Sequence, residues 1–328
     1  MATIKDVAKK ANVSVATVSR VLNQSGYVNV ETKKLVEAAI KELDYVPNEL
    51  ARSLYKKQSK IIGLVVPHLS TYFFSELIET IEEYFVEDSY KLMIFNVRED
   101  LSQEEKIMHV FSQYNIDGLI VVAHIPEIEN FIKLGIPMIT IDHRNEDNDI
   151  TSISSDNVEG GRLAAQHFID NGCQHFLHIR GPSVLLTVQD RSKGFDEVLK
   201  KHKLKRHILD LDFRKPSLTD IKAFIQKYPR TDAIFCDSDT MAIMTIRALH
   251  LIGKRVPQDV QVIGFDNIEL SELISPSLTT IQQSINHIAE KAHQILLGMI
   301  GDVPLKKQHH TIPVKLIQRE STMRKTKR

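Results

Sequence analysis

Apolar residues recur at two different periods along this chain, and the change from one to the other falls near residue 60. Over residues 1 to about 45 the segments IKDVAKKA, VATVSRVLN and ETKKLVEAAIKELD carry apolar residues at helical spacing and no strand signal, which predicts three short helices. Turn-prone NVS and NQSGY separate them. From Ile61 the pattern changes, because IIGLVV is a bounded, β-branched apolar run of the kind found in a buried parallel strand. Further strand-like runs follow: KLMIFN near 91, GLIVV near 118, PMITID near 137, HFLHI near 175, HILDL near 207, AIFCD near 233 and VQVIGFD near 260. Between them the spacing predicts helices around 75–86, 102–114, 157–171, 189–202, 218–227 and 239–252. Such βαβ repetition implies parallel sheets with helices on both faces. So many strands exceed what one compact sheet usually holds, and the segment at Ser154, Ser155 and Asp156 is expected to carry the chain into a second, similar lobe. The expected architecture is an all-α helix-turn-helix head on a two-lobed α/β body, with ligands bound in the cleft at the carboxyl ends of the strands.

Composition narrows the class. At 328 residues the chain is long enough for two or three domains. No apolar run is long enough to span a bilayer, and Lys5 and Asp6 interrupt the stretch a secretory signal would need. A cytoplasmic location with no membrane partner is therefore expected. Cys173 and Cys236 are the only cysteines, so neither a disulfide framework nor a zinc cluster is expected. Net charge is zero overall, yet residues 1–60 hold 11 Lys and Arg against 6 Asp and Glu. Residues 324–328 add four more basic residues, leaving 27 basic against 36 acidic in the middle. A basic head on an acidic body suits a phosphate-binding head on a body that stays off DNA.

In TIKDVAKKANVSVATVSRVLN, Thr3 and Ser14 are placed to cap helices, and Val7, Ala8, Val18, Val21 and Leu22 supply apolar faces that lock a helix pair. Val15, Ala16 and Arg20 then fall where a recognition helix enters a major groove. Arg20 can donate two hydrogen bonds to a guanine edge, whereas Val15 and Ala16 offer only shape and apolar contact. Thr17, Ser19 and Asn23 are typical phosphate-side donors. Helical spacing alone would also fit a plain three-helix bundle. The basic surplus and the next segment favour the DNA reading. In YVPNELARSLYKKQSK, Pro47 can start a short helix from which Leu54 projects beside Arg52, Lys56 and Lys57. That fits either a minor-groove wedge or a flexible linker.

These motifs together resemble the lactose-repressor family (LacI/GalR type) of bacterial regulators. The resemblance runs through IKDVAKKANVSVATVSRVLN, YVPNELARSL, GLVVPHLSTYFF, SSDNVEGGRLAA, DRSKGF, VQVIGFDN and SLTTIQQ. It implies a helix-turn-helix domain over 1–46, a hinge helix and linker over 47–60, and an effector-binding and dimerisation domain over 61–328. It also implies a homodimer on a pseudo-palindromic operator, because one head reads only a half-site. By the same resemblance Val15, Ala16 and Arg20 read bases, Thr3, Ser14, Thr17, Ser19, Asn23, Asn48 and Arg52 hold the DNA, and Leu54 intercalates. The family's effector contacts map onto Thr71, Tyr72, Phe73, Asp142, Arg191, Ser238, Asp239 and Asp266. As chemistry this is a sugar site: carboxylates accept from hydroxyls, the guanidinium donates a fork, and rings cover apolar sugar faces. DSDTMA departs from the commoner pattern with Asn before the second Asp, and Ser238 cannot donate two hydrogens as an amide does. GYVNVETK and ISSDNVEGGRLAA most resemble regulators of sucrose utilisation, with ribose regulators next, so sucrose or a fructose-containing relative is the expected effector. Ribose, a sugar phosphate or a protein corepressor are the alternatives.

No enzyme or cofactor is expected. GxGxxG after a strand, GxxxxGK[ST], a nucleophile elbow and HExxH are all missing. Asp237 and Asp239 flank a strand end without partners at ligand spacing, and His309 and His310 are adjacent and expected to precede an edge strand, so no metal is expected. The other rival, a sugar-binding module that never touches DNA, has to explain the basic head.

Overall fold

The computed structural model describes residues 2–23, 25–46, 58–97, 104–122, 128–144, 150–303 and 308–323. They fall into two compact units, Met1–Ser59 and Lys60–Arg328.

The first unit contains α1 (Ile4–Lys10), α2 (Val15–Asn23) and α3 (Val30–Glu42). Each start has a side-chain cap. The Thr3 hydroxyl accepts from the Asp6 amide while the Asp6 carboxylate accepts from the Thr3 amide, a reciprocal box that satisfies two orphan donors. Ser14 Oγ accepts from the Thr17 amide over 3.1 Å, and Asn29 Oδ1 from the Glu31 amide over 2.9 Å. Between α1 and α2 the chain turns through Asn12 at φ 52°, a conformation Asn tolerates better than most residues. Val7, Val18 and Val36, one from each helix, are fully buried against Ala8, Ala11, Val21 and Ala39.

The second unit is two lobes of the same plan. Lobe 1 is built from β1 (Ile61–Val66), α4 (Tyr72–Glu87), β2 (Lys91–Asn96), α5 (Glu104–Tyr114), β3 (Gly118–Val122), α6 (Ile128–Ile132), β4 (Met138–Ile141) and β5 (Thr151–Ser155). Lobe 2 repeats the order as α7 (Asn157–Asp170), β6 (Phe176–Arg180), α8 (Leu186–Lys201), β7 (Arg206–Asp210), α9 (Leu218–Lys227), β8 (Ala233–Cys236), α10 (Asp239–Leu251), β9 (Gln261–Asp266), α11 (Leu270–Leu273) and β10 (Thr279–Gln282). Then α12 (Ile285–Ile300), β11 (His309–Ile312) and β12 (Lys315–Ile317) close the chain. The sheets run β11-β5-β4-β3-β1-β2 and β12-β10-β9-β8-β6-β7, parallel throughout except where β12 pairs antiparallel with β10. Leaving aside the added edge strands, both orders are 2-1-3-4-5, the doubly wound arrangement. Central strands such as β3 and β9 are buried at every position because helices cover both faces, whereas β2, at the edge, is half exposed.

The chain crosses between lobes three times: from β5 to α7 at Asp156, from β10 to α12 at residues 283–284, and from β11 to β12 at 313–314. Helix α12 returns to lobe 1, where Ile288, Ala289, Ala292, Ile295 and Leu296 enter its core. Several segments differ from expectation, the short α6, α11 and β12 among them. TSISS forms β5 despite its polarity, pairing in parallel with β4 and β11, where the ring nitrogens of His309 meet the hydroxyls of Ser152 and Ser154 at 2.8 and 3.2 Å. His309 and His310 begin β11 rather than precede it, while β10 and α12 form around and after SLTT, where the sequence pattern predicts neither. The eight expected strands all form.

Candidate functional site

Two aspartates terminate equivalent strands, one in each lobe. Asp142 follows β4 at φ 57° and Asp266 ends β9 at φ 116°, left-handed conformations that a non-glycine residue holds only when its surroundings impose them. The Asp142 amide donates to the Ile153 carbonyl over 2.9 Å, which fixes the turn. Asp266 is held by Gln283, whose amide donates to its carbonyl and whose Nε2 donates to Oδ1 over 2.7 Å.

Between them projects Arg191 from α8. It is only 5% exposed, which for an arginine demands a built environment. Its Nε donates to Asn157 Oδ1 over 2.8 Å, Nη1 donates to the Asp237 carbonyl, and the guanidinium lies 3.7 Å from the centroid of the Phe265 ring. Helix α8 can present it there because α7 and α8 touch backbone to backbone: a Cβ on Gly161 would stand 2.1 Å from the Arg191 carbonyl oxygen, and one on Gly194 1.8 Å from that of Val158. Only glycine allows this approach.

Asp142, Arg191 and Asp266 line one cleft of about 980 Å³ of empty space, mouth included, between the lobes. Thr71, Phe73 and Phe74 line it from lobe 1, and Phe213, Asp237, Ser238 and Gln283 from the segments around lobe 2. Burial drives the carboxyl groups of Asp142 and Asp237 up to about 6 against the pull of Arg191, and burial raises Asp266 well above the usual carboxylate range. On the rim, hydrogen bonds from Arg214 hold Asp212 below that range. Asp142 Oδ1 and Gln283 Oε1 are shielded from solvent without a hydrogen-bond partner among the described residues. An array of acceptors and one forked donor, flanked by rings, is equipped to take up a molecule rich in hydroxyl groups.

Six of the eight residues singled out from sequence line this cleft: Thr71, Phe73, Asp142, Arg191, Ser238 and Asp266. Tyr72 stands half exposed outside the lining. Asp239 also lies outside it. Its carboxylate is fully buried and accepts from the Ser271 hydroxyl, the Thr280 hydroxyl and the Ile268 amide, bracketing the loop after β9. Ser238 doubles as the cap of α10, accepting from the Met241 amide. Sequence reasoning misses Phe74, Phe213, Asp237 and Gln283 as cleft residues. Asp237 and Gln283 sit within or beside recognisable motifs, but Phe213 lies in an irregular segment with no periodic signal.

In the head, Val15, Ala16 and Arg20 share the exposed side of α2 while Val18 and Val21 face the core. Thr3 and Ser14 are engaged in their caps, Thr17 shares a 2.9 Å hydroxyl contact with Ser14, and Asn23 Nδ2 donates to Ser19 Oγ. Asn48, Arg52 and Leu54 lie outside the described residues.

Comparison with known proteins decides the family. Residues 3–48 match the model of bacterial regulatory proteins of the lacI family, and residues 165–322 match a periplasmic binding protein-like domain. A ribose operon repressor of Halalkalibacterium halodurans is 39% identical over 323 residues, covering 98% of this chain and 97% of that protein. The chain belongs to the lacI family of bacterial regulators. A sucrose operon repressor of Streptococcus mutans is 36% identical over 98% of this chain and 99% of its own length. Among solved structures, the Lac repressor dimer bound to operator and the anti-inducer ONPF superimposes with a TM-score of 0.89 at 26% identity, covering 98% of this chain and 99% of that one. This lacI-family chain is accordingly a DNA-binding repressor under small-effector control, and its whole-length relatives are repressors rather than enzymes. No helix among the described residues is long and apolar enough to cross a membrane.

Proposed function

We propose that the protein is a homodimeric repressor that binds a pseudo-palindromic operator and is released from it by a neutral sugar held between its lobes. The observation that carries the ligand class is the placement of Asp142 and Asp266, one from each lobe, in the same cleft as the buried Arg191. Carboxylates accept from sugar hydroxyls on both sides while Arg191 donates, and Phe73, Phe74 and Phe213 cover apolar faces. With Asp237 and, on the rim, Asp212, four carboxyl groups outnumber the single guanidinium. That balance disfavours a sugar phosphate, because Asp142 and Asp237, at about 6, and Asp212, held below the ordinary carboxylate range, carry charge at neutral pH that would repel it. A ligand touching both lobes binds one relative orientation better than others, and so shifts the population towards it.

The names of the relatives support D-ribose and sucrose as first candidates; the greater identity to the ribose operon repressor puts D-ribose ahead of the fructose-containing sugars. In the head, Val15, Ala16 and Arg20 read base edges, while Thr3, Ser14, Thr17, Ser19 and Asn23 approach phosphates. The segment 47–60, with Asn48, Arg52 and Leu54, is the hinge that enters the minor groove.

The test is isothermal titration of the full chain with D-ribose, D-fructose, sucrose and D-ribose 5-phosphate, paired with anisotropy on an operator selected from a palindromic library. Binding of one neutral sugar, with loss of operator affinity, supports the reading. Binding of the phosphate alone overturns the neutral-ligand assignment, and failure to select any DNA at low salt overturns the operator reading.

A further inference from the structure

Arg191 is tied to the place where the chain leaves lobe 1. Asn157, the first residue of α7, accepts from Arg191 Nε through Oδ1 and donates through Nδ2 to the Ser155 carbonyl over 3.0 Å. Ser155 is the last residue of β5, and Asp156 between them donates its amide to the Ile312 carbonyl over 2.8 Å, joining the first crossover to the strand that leads into the third. Asn157 is 3% exposed and each end of its amide is engaged, so it is a buried link between a cleft cation and the crossover backbone. The close α7–α8 approach at Gly161 and Gly194 sets the backbones that carry Asn157 and Arg191 side by side. The same design recurs at the second crossover, where Gln283, the first residue after β10, holds Asp266.

We propose that Asn157 is a positioning residue that transmits occupancy of the cleft at Arg191 to the β5–α7 crossover, and so sets how strongly a bound sugar fixes the relation of the two lobes. This rests on the reading of the cleft as a sugar site. A sugar that draws Arg191 toward the cleft pulls on Asn157 Oδ1, and the planar amide passes that displacement to the Ser155 carbonyl. An effector acts only through such differential contacts in the two states.

Asn157→Asp separates the two halves of the link. The carboxylate still accepts from Arg191 but has no proton to donate to the Ser155 carbonyl. In the full-length protein, calorimetry with D-ribose, D-fructose and sucrose is combined with amide hydrogen exchange in the presence of whichever sugar binds. In the wild type the sugar is expected to slow exchange both in α8 and across the crossover residues 153–157, by about tenfold or more. In Asn157→Asp, affinity stays within about threefold and α8 remains protected, while crossover protection falls below about twofold. Crossover protection equal to the wild type overturns the proposal. If Asn157→Asp does not fold, Asn157→Ala is compared at saturating sugar, where the crossover should still fail to gain protection; full protection there overturns the proposal equally. If none of the three sugars protects α8 in the wild type, the sugar reading of the cleft falls, and the Asn157 link falls with it.

Discussion

The Nε2 of His178 and the Oδ1 of Asp237 lie 2.7 Å apart with both side chains fully shielded from solvent. Phe235 stacks on the imidazole at 4.8 Å between centroids, and the other carboxylate oxygen accepts from the Gly181 amide over 3.0 Å. The Asp237 carbonyl in turn receives Arg191, so this pair forms the floor beneath the guanidinium. His178→Ala removes a core ring and leaves a buried carboxyl short of a partner. The expected cost is about 3 kcal/mol in urea unfolding, with weaker sugar binding because the floor under Arg191 loosens.

The buried carboxyl groups make stability depend on pH in an unusual direction. Burial puts Asp142, Asp237 and Asp239 each up to about 6, above the ordinary carboxylate value they regain on unfolding. A raised folded-state value means the native protein binds these protons more tightly, so their contribution to stability is present at low pH and is lost as pH rises through about 6. Sugar-free protein should therefore gain from these groups on moving from neutral pH towards about 5. Asp142→Asn, which also accepts the left-handed backbone, should raise stability at neutral pH by about 1–3 kcal/mol and flatten the profile. It should cost about tenfold or more in sugar affinity, since the lost group is a charged acceptor. Thermal melts across pH and calorimetry at neutral pH check both halves.

Asp239 and Asp266 should behave as different kinds of residue although both are buried aspartates, one opening α10 and the other ending β9. Removing the Asp239 carboxylate strands the Ser271 and Thr280 hydroxyls and the Ile268 amide. Asp239→Ala should cost about 3 kcal/mol or more in denaturant unfolding. Asp266→Asn should leave the protein folded and reduce sugar affinity. Equal loss of stability in both variants would remove the distinction.

On the DNA side, Arg20→Ala should weaken binding to a selected operator by about 1–3 kcal/mol and relax preference at a single base position, while sugar binding by the isolated protein is unchanged. Anisotropy on operator variants measures this. A uniform loss over all sequences with a shallower salt dependence would instead make Arg20 a phosphate contact.

How far these properties are legible in the sequence depends on the kind of interaction involved. The head is readable almost to the residue because capped short helices and their apolar faces are local: Thr3 and Ser14 cap within three residues of themselves. The expected starts of α4 and α8 fall three residues late at 75 and 189, because Thr71 and Leu185 open those helices without a side-chain cap bond. Apolar strands such as β1 and β9 announce themselves through composition. The polar β5 does not, because what holds it comes from far along the chain: it pairs with β11, whose His309, more than 150 residues away, meets the Ser152 and Ser154 hydroxyls.

By itself the sequence determined the elements whose causes are local, the basic bias of the head, and a set of motif residues of which Thr71, Phe73, Asp142, Arg191, Ser238 and Asp266 do meet in one cleft. Tertiary structure alone decided that Asp237 and Gln283 join that cleft while Asp239 turns away from it. It alone paired Arg191 with Asn157 across 34 positions of sequence. The reason is that a strand end fixes where a residue sits, but the orientation of a buried side chain is set by the donors and acceptors that reach it from other segments, and their proximity comes only from packing two lobes along three crossovers.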